Sequence, residues 1–473
     1  MSRLVVDVAV VGRELSGLAG GALCARAGRR VVVVVDDDQP GRVLGDRLAP
    51  LAPSLWRMPH GGPVGAVFDD LGLRADARRI LGEPVGVGVV DDPDLRCVFA
   101  INDETRAREL GRCFGDAGRV LADTLQKLDV TRRHPALLEL RALHEDGWFF
   151  EARRARNRVT ALGSVGAFDA VDDDVSALWG DGYGIAPVLP QLASFVQHRA
   201  RVNERGLASA MSLATLQGGT LLGSAGAGLG PRAAVADLLL GFIKSHGGEV
   251  ISDRVASVDA VGRKVTGLRT DGKREIIATA FIDATSARDL VDRLPGGRPR
   301  EKVLTQQGKV VIAGGATSVR WLLPVRVLPR GLPPVFVILG SDGAPPVLVG
   351  LYPGSPTTET GKASHLDEHL LCVVATAPGK DPAPIEAALE RVLPFASGAA
   401  RAKDVVDASA VCGHYDIKES EHALGGRRPR TAFKNLVRAG RDLAPAWGLD
   451  GELVAARSAA ALIDRCFPKP PRN

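Results

Sequence analysis

Three short clusters carry residue types whose spacing can do chemistry. The first is Gly12-Arg-Glu-Leu-Ser-Gly17. Glycines at a strand-to-helix turn let backbone N–H groups close on an anionic oxygen, so Gly12 and Gly17, at the first and third positions of a G-x-G-x-x-G pattern, suit a pyrophosphate. The second position, where the backbone must approach the phosphates most closely, is Glu14. Its side chain fills the space they need. When ionised, it also repels them by roughly 4 kcal/mol per charge pair at contact distance near a surface. The second cluster is Asp36-Asp37-Asp38, where an acid would grip a ribose. Counted from Gly28, that place falls on Val35, and a one-residue slip on a strand reverses a side chain's direction. A local bulge would restore Asp36 to the task. The third cluster is Gly440-Arg-Asp442 followed by Gly448-Leu-Asp-Gly-Glu452, a glycine-bearing loop that again offers helix N–H groups to a polar ligand.

Those clusters require a particular set of elements around them. Residues 5–11 are a short apolar run that reads as a buried parallel strand. A glycine turn, an alanine- and glycine-rich helix over 18–27 and a strand over 31–35 follow it. Beyond the glycine-rich stretch 223–230, Pro231 can start a helix over 232–244 that Gly247-Gly248 stops. Strands are expected over 249–252 into 255–258, over 264–269 and over 274–278. Asp271-Gly272 supplies a hairpin turn between the last two. Residues 280–285 read as a further strand returning to the sheet. Residues 76–214 are helical in character and rich in arginine, while 317–353 are strand-like and punctuated by proline. At the end of the chain, a strand over 436–439 precedes a small-residue helix that starts near Gly451.

Composition narrows the function classes. A chain of 473 residues with 45% apolar content exceeds one ordinary core and implies two domains. The net charge of +5 comes from scattered arginines, so nucleic acid is not expected as the main partner. Arg427-Arg428-Pro429-Arg430 reads as a solvated loop. The six cysteines, Cys24, Cys97, Cys113, Cys372, Cys412 and Cys466, form no C-x-x-C pair, which suits reduced thiols and a cytoplasmic setting. No apolar stretch approaches the ~20 residues of a membrane helix, and peripheral membrane contact stays open. His365 and His369 are spaced i, i+4 around Asp367 and Glu368 but have no third ligand nearby, so they read as a solvated helix face and no metal is expected. His60 falls in a loop and reads as a surface histidine. His414-Tyr415-Asp416 is a candidate lining of a pocket, and Trp447 either covers a ligand or packs. No residue set assembles into a nucleophilic or glycosidic constellation, and no catalytic residue is assigned.

Together these segments resemble the flavin-dependent amine oxidase and phytoene desaturase superfamily over nearly the whole chain, nearest to bacterial phytoene-desaturase-like oxidoreductases. The resemblance implies an α/β fold: a Rossmann-like FAD/NAD(P)-binding domain from residues 1–75, 215–300 and 425–473, with a discontinuous mixed α+β substrate (cap) domain from 76–214 and 301–424. It implies FAD held at Gly12, Glu14, Gly17, Asp36, Gly41, Arg42, Val255, Gly440, Asp442 and Gly448. Gly41-Arg42 resembles the family's Gly-Gly-Arg turn, and Val255 the valine beside the adenine. Glu14 and Val35 weaken that site. Arg441 stands where the family places an acid, either against the flavin or paired bidentately with a phosphate to offset Glu14. The implied activity is hydride abstraction from an apolar, isoprenoid-like substrate. The alternative is a non-catalytic relative that has lost the flavin and binds a protein partner, as escort proteins for prenylated small GTPases do, through arginine-rich stretches at 152–157 and 199–205. A third reading, NAD(P) at the same turn, meets the same obstacle at Glu14 and leaves the C-terminal cluster unexplained.

Overall fold

The computed structural model describes residues 2–35, 43–53, 63–81, 86–91, 95–100, 102–132, 231–285, 310–340, 344–353, 355–356, 370–409, 414–417, 429–431, 433–440, 443 and 448–467. Asp36, Gly41, Arg42, His60, His365, His369, Arg441, Asp442, Trp447, residues 223–230 and the arginine-rich stretches 152–157 and 199–205 lie outside the described residues.

Five consecutive valines make β2 (Val31–Val35), and all five are buried. β-branched side chains suit a pleated backbone, and burial on both faces marks a parallel strand covered from two sides. Val31, Val33 and Val35 enter the cluster shared with helix α1 (Leu15–Arg26), while Val32 and Val34 enter the one on the opposite face. β2 pairs in parallel with β1 (Arg3–Val11) and with β7 (Glu249–Ser252). β1 pairs in parallel with β10 (Glu275–Asp283), whose far end pairs with β19 (Leu436–Arg438). The foot of β10 instead continues into antiparallel β9 (Lys264–Thr270) and β8 (Val255–Val261). Helices α2 (Pro63–Leu71), α3 (Arg74–Leu81), α5 (Pro231–Ser245) and α8 (Gly448–Cys466) share α1's cluster. The meander of β8 and β9 packs on the other face.

A second sheet runs β17 (Ala402–Asp407), β12 (Ala316–Pro324), β16 (Leu370–Pro378), β14 (Val347–Pro353), β13 (Val335–Ile338), β5 (Val87–Asp91) and β6 (Leu95–Phe99). Helices α6 (Ala383–Val392) and α7 (Ala396–Ala399) cover one of its faces. Among the described residues there are also two small sheets: β3 (Val43–Leu44), β4 (Arg47–Leu48) and β15 (Ser355–Pro356), and the pair β11 (Val310–Gly314) with β18 (His414–Ile417).

Buried polar groups tie these layers together. Arg320 on β12 is fully buried and grips Asp404 through both arms of its guanidinium, Nε lying 2.8 Å from Oδ1. It also donates to the carbonyl oxygens of Val43 at 3.3 Å and Ala49 at 3.4 Å, which fixes that stretch on the second sheet. In the first sheet, Asn435 acts as a piece of backbone. Its Oδ1 accepts the Val265 N–H at 2.8 Å, and its Nδ2 donates to the carbonyls of Val265 at 2.8 Å and Thr279 at 3.1 Å.

Several elements differ from the sequence reading. α1 starts at Leu15, three residues early, because Glu14 is already the extended N-cap residue (φ −62°, ψ 137°). α8 likewise starts at Gly448. The strands expected over 274–278 and 280–285 are one strand, since β1 pairs with it from Glu275 to Asp283. β5 and β6 interrupt the stretch read as helical, because the valines of β5 complete a parallel pair with β13. The hairpin at Asp271-Gly272 forms, but Lys273 takes the left-handed conformation (φ 61°). Gly272 instead makes room for Asp253, whose Oδ2 lies 2.5 Å from where its Cβ would be.

An Asn435→Ala change strands the buried N–H and carbonyl of Val265 and removes the donor to the Thr279 carbonyl. Urea denaturation should register a loss of about 2–4 kcal/mol.

Candidate functional site

The parallel strands end in register. Val11 lies opposite Val34 on one side and Asp283 on the other, and Asp283 lies opposite Arg438. From β1 the chain crosses to β2 in one direction, while β10 and β19 extend the sheet in the other. That is a topological switch point, where open α/β sheets leave a crevice at the carboxyl ends of their strands.

The turn after β1 is braced against the end of β10. Gly12 has φ 102°, and a Cβ on it would lie 2.2 Å from the Ala284 carbonyl oxygen. Its N–H donates to Val34 O at 2.9 Å, and the Glu14 N–H donates to Ala284 O at 3.3 Å. Gly17, inside the first turn of α1, would place a Cβ 2.0 Å from the Ala284 side chain. The motif's third glycine therefore serves helix-to-strand packing. Ser16 is fully buried and donates its hydroxyl to Ala439 O at 2.8 Å, which locks the helix start to the end of β19. Arg13 reaches across to Asp237 on α5 at 2.5 Å.

Glu14 is 6% exposed, and its carboxylate makes no capping hydrogen bond to the turn it precedes. The first-turn N–H groups of a helix have no acceptor within the helix. Here that turn is buried, since Leu15, Ser16 and Gly17 are all inaccessible. The result is a buried set of donors at the positive end of a helix dipole, not covered by the N-cap side chain. α8 approaches α1 closely, with a Cβ on Gly20 falling 3.3 Å from the Ala456 carbonyl oxygen. Because both helices follow strands of the same parallel set, both amino ends reach the same crevice.

Most of the sequence candidates that are described meet at these strand ends. Gly12, Glu14 and Gly17 form the turn. Gly440 is buried directly after Ala439, whose N–H donates to Asp283 O at 2.8 Å. Gly448 is the first residue of α8. Val255 is buried at the start of β8, just beyond the Asp253 N–H that donates to Val35 O at 2.9 Å. Val35 itself faces the α1 cluster. His414, Tyr415 and Asp416 lie instead on β18, paired with β11.

The sequence reading missed two charged residues at this end of the sheet. Asp283 is 2% exposed and accepts the Thr285 N–H at 3.2 Å and its hydroxyl at 2.7 Å. Arg438 is 4% exposed on the neighbouring strand. Each closes an apolar strand, Phe-Ile-Asp283 and Leu-Val-Arg438, and that position was the available signal. Glu452, in the first turns of α8, is fully buried. On the second sheet the hydroxyls of Ser318 and Thr376 pair in a buried strip with Arg320, and burial pushes the Cys372 thiol up to about 12. Among the described residues, no group of three or more His, Cys, Asp or Glu side chains is placed to hold a metal, and no helix is long and apolar enough to cross a membrane.

No protein-family model and no curated protein matches this chain. Solved structures do. A putrescine oxidase redesigned for cofactor binding is 14% identical with a TM-score of 0.53, covering 98% of this chain and 100% of that one. An oxidoreductase from Methanosarcina mazei is 14% identical with a TM-score of 0.55, covering 96% and 99%. A Rab GDI from Plasmodium falciparum is 10% identical with a TM-score of 0.51, covering 99% and 100%. The likeness at these identities is one of fold alone, α/β and Rossmann-like, over nearly the full chain.

If Gly17 is glycine because of Ala284, Gly17→Ala should lower stability by about 1–3 kcal/mol. Ala284→Gly in the same chain should return part of that loss in denaturant titrations. Strict additivity of the two changes would contradict the packing role.

Proposed function

We propose that this chain is an FAD-binding oxidoreductase that acts on an apolar, isoprenoid-like substrate. The observation that carries the proposal is the buried first turn of α1, which Glu14 does not cap, at the switch point where α8 also presents its amino end. One helix end suffices for a pyrophosphate. A second, at the same crevice, suits the longer reach of a flavin dinucleotide better than NAD(P). In this reading the turn from Gly12 through Gly17 holds the pyrophosphate, Val255 borders the adenine, and Gly440 with the start of α8 at Gly448 supports the ribitol and flavin. The resemblance adds Asp36, Gly41, Arg42 and Asp442 to that set. The domain division at 1–75, 215–300 and 425–473 against the remainder, and a cytoplasmic location, belong to the same reading.

FAD supplies hydride acceptance when bound, and the chain's task is to bind, orient and exclude water. The apolar, isoprenoid-like substrate comes from the sequence resemblance and belongs to the same reading. The fold shared with a putrescine oxidase and with an oxidoreductase supports the reading.

A second reading is favoured by Glu14 itself. A carboxylate 6% exposed beside the phosphate position suits a relative that has given up the flavin and binds a protein partner, and a Rab GDI shares the fold.

The Glu14→Gly variant separates the two. If the site is an FAD site that Glu14 impairs, the variant should bind FAD at least about tenfold more tightly than the parent, read by quenching of flavin fluorescence. Unchanged or weaker binding would remove Glu14 as the obstacle. No binding by either form would favour the protein-binding reading.

A further inference from the structure

Cys97 and Cys113 lie on successive elements and in no redox motif, and the fold lays one element along the other. Cys97 lies on β6, the last strand of the second sheet, and is 1% exposed. Cys113 is half-buried on helix α4 (Asp103–Arg132). One turn of α4 lies along the strand. The Cys97 thiol donates to the Glu109 carbonyl at 4.0 Å, and the Cys113 thiol donates to the Arg96 carbonyl at 3.7 Å. Arg112 clamps the same contact, donating to Arg96 O at 2.8 Å and to Glu109 Oε2 at 2.9 Å. Each thiol thus lies against the backbone beside the other cysteine, and burial pushes the Cys97 thiol up. Two residues beyond Cys113, Gly115 (φ 61°, ψ −135°) breaks α4, and the second half folds back so tightly that a Cβ on Gly118 would lie 1.9 Å from Leu110 O. Both thiols therefore sit on segments fixed relative to each other.

We infer that Cys97 and Cys113 form a reversible dithiol–disulfide pair that, when oxidised, staples the terminal strand β6 to helix α4. The oxidant is a low-molecular-weight disulfide of the glutathione type. The more accessible Cys113 attacks first as its thiolate. The oxidant's S–S bond breaks, one glutathione thiolate leaves, and a mixed disulfide remains on Cys113. Cys97 then gives its proton to solvent and attacks the Cys113 sulfur, forming the Cys97–Cys113 bond and releasing the second glutathione. Two protein thiols lose two electrons and two protons, and one oxidised glutathione becomes two reduced ones.

The test is equilibration of the full-length chain in mixtures of oxidised and reduced glutathione, followed by peptide mapping without reductant. Exposed Cys466 serves as the internal standard for an ordinary surface thiol. The pair should appear as one linked peptide, two hydrogens lighter than its reduced parts. It should half-form at an oxidised-glutathione level at least about tenfold below that needed to half-modify Cys466, because the second thiol is already in place. Cys97→Ser should trap glutathione on Cys113, and Cys113→Ser should abolish the link. The inference is overturned if the native chain carries glutathione on Cys113 without the link. It is equally overturned if Cys113 stays unmodified when Cys466 is saturated, or if Cys97 links equally to other cysteines.

Discussion

The contact of Gly12 and Gly17 with Ala284 governs the rest of this structure. Added side chains would lie 2.2 Å and 2.0 Å from atoms of Ala284, so their absence lets α1 start directly over the junction of β1 and β10. Once the helix is seated there, Ser16 reaches the Ala439 carbonyl and fixes the end of β19, and Gly20 admits Ala456 of α8. Segments from the start, middle and end of the chain thus meet at one crevice. A close-packed interior tolerates little displacement, so an added methyl at either glycine would shift the helix end as well as loosen the core.

The same crevice gathers buried charge. Glu14, Asp283, Arg438 and Glu452 are each at most 6% exposed. Burying a charged group is expensive unless hydrogen bonds or opposite charges accompany it. Asp283 is held by the N–H and hydroxyl of Thr285, and Arg438 places positive charge on the adjoining strand. The donors of α1's first turn attract an anion while Glu14 beside them repels one. That opposition sets the two functional readings against each other. It also explains why the turn's geometry, taken without its charge, gives an incomplete account of the site.

Much of the architecture was legible in local pattern. The five valines of β2, the glycine turn after β1, and the stop at Gly247-Gly248 each declare themselves through burial or backbone demands within a few residues. What escaped depends on distant partners. β10 reads as two strands until β1 is seen to pair with its whole length, and the β5–β6 hairpin is invisible until β13 lies beside it. Asn435 carries no local sign of its role, which is to satisfy the backbone of Val265. The placing of Cys97 and Cys113 on adjoining segments has no local signature at all. In the site, the glycines were readable as a pattern, but the division of labour between them was not. Gly17 is explained by Ala284 and not by a ligand.

We propose that the buried first turn of α1, which the Glu14 side chain does not cap, belongs to a flavin site. The most direct measurement is the visible absorption spectrum of the purified chain, before and after addition of FAD and removal of the unbound fraction. A flavin spectrum should stay with the protein, its bands shifted and structured relative to free FAD. A chain that stays colourless and leaves added FAD entirely in the unbound fraction would contradict it.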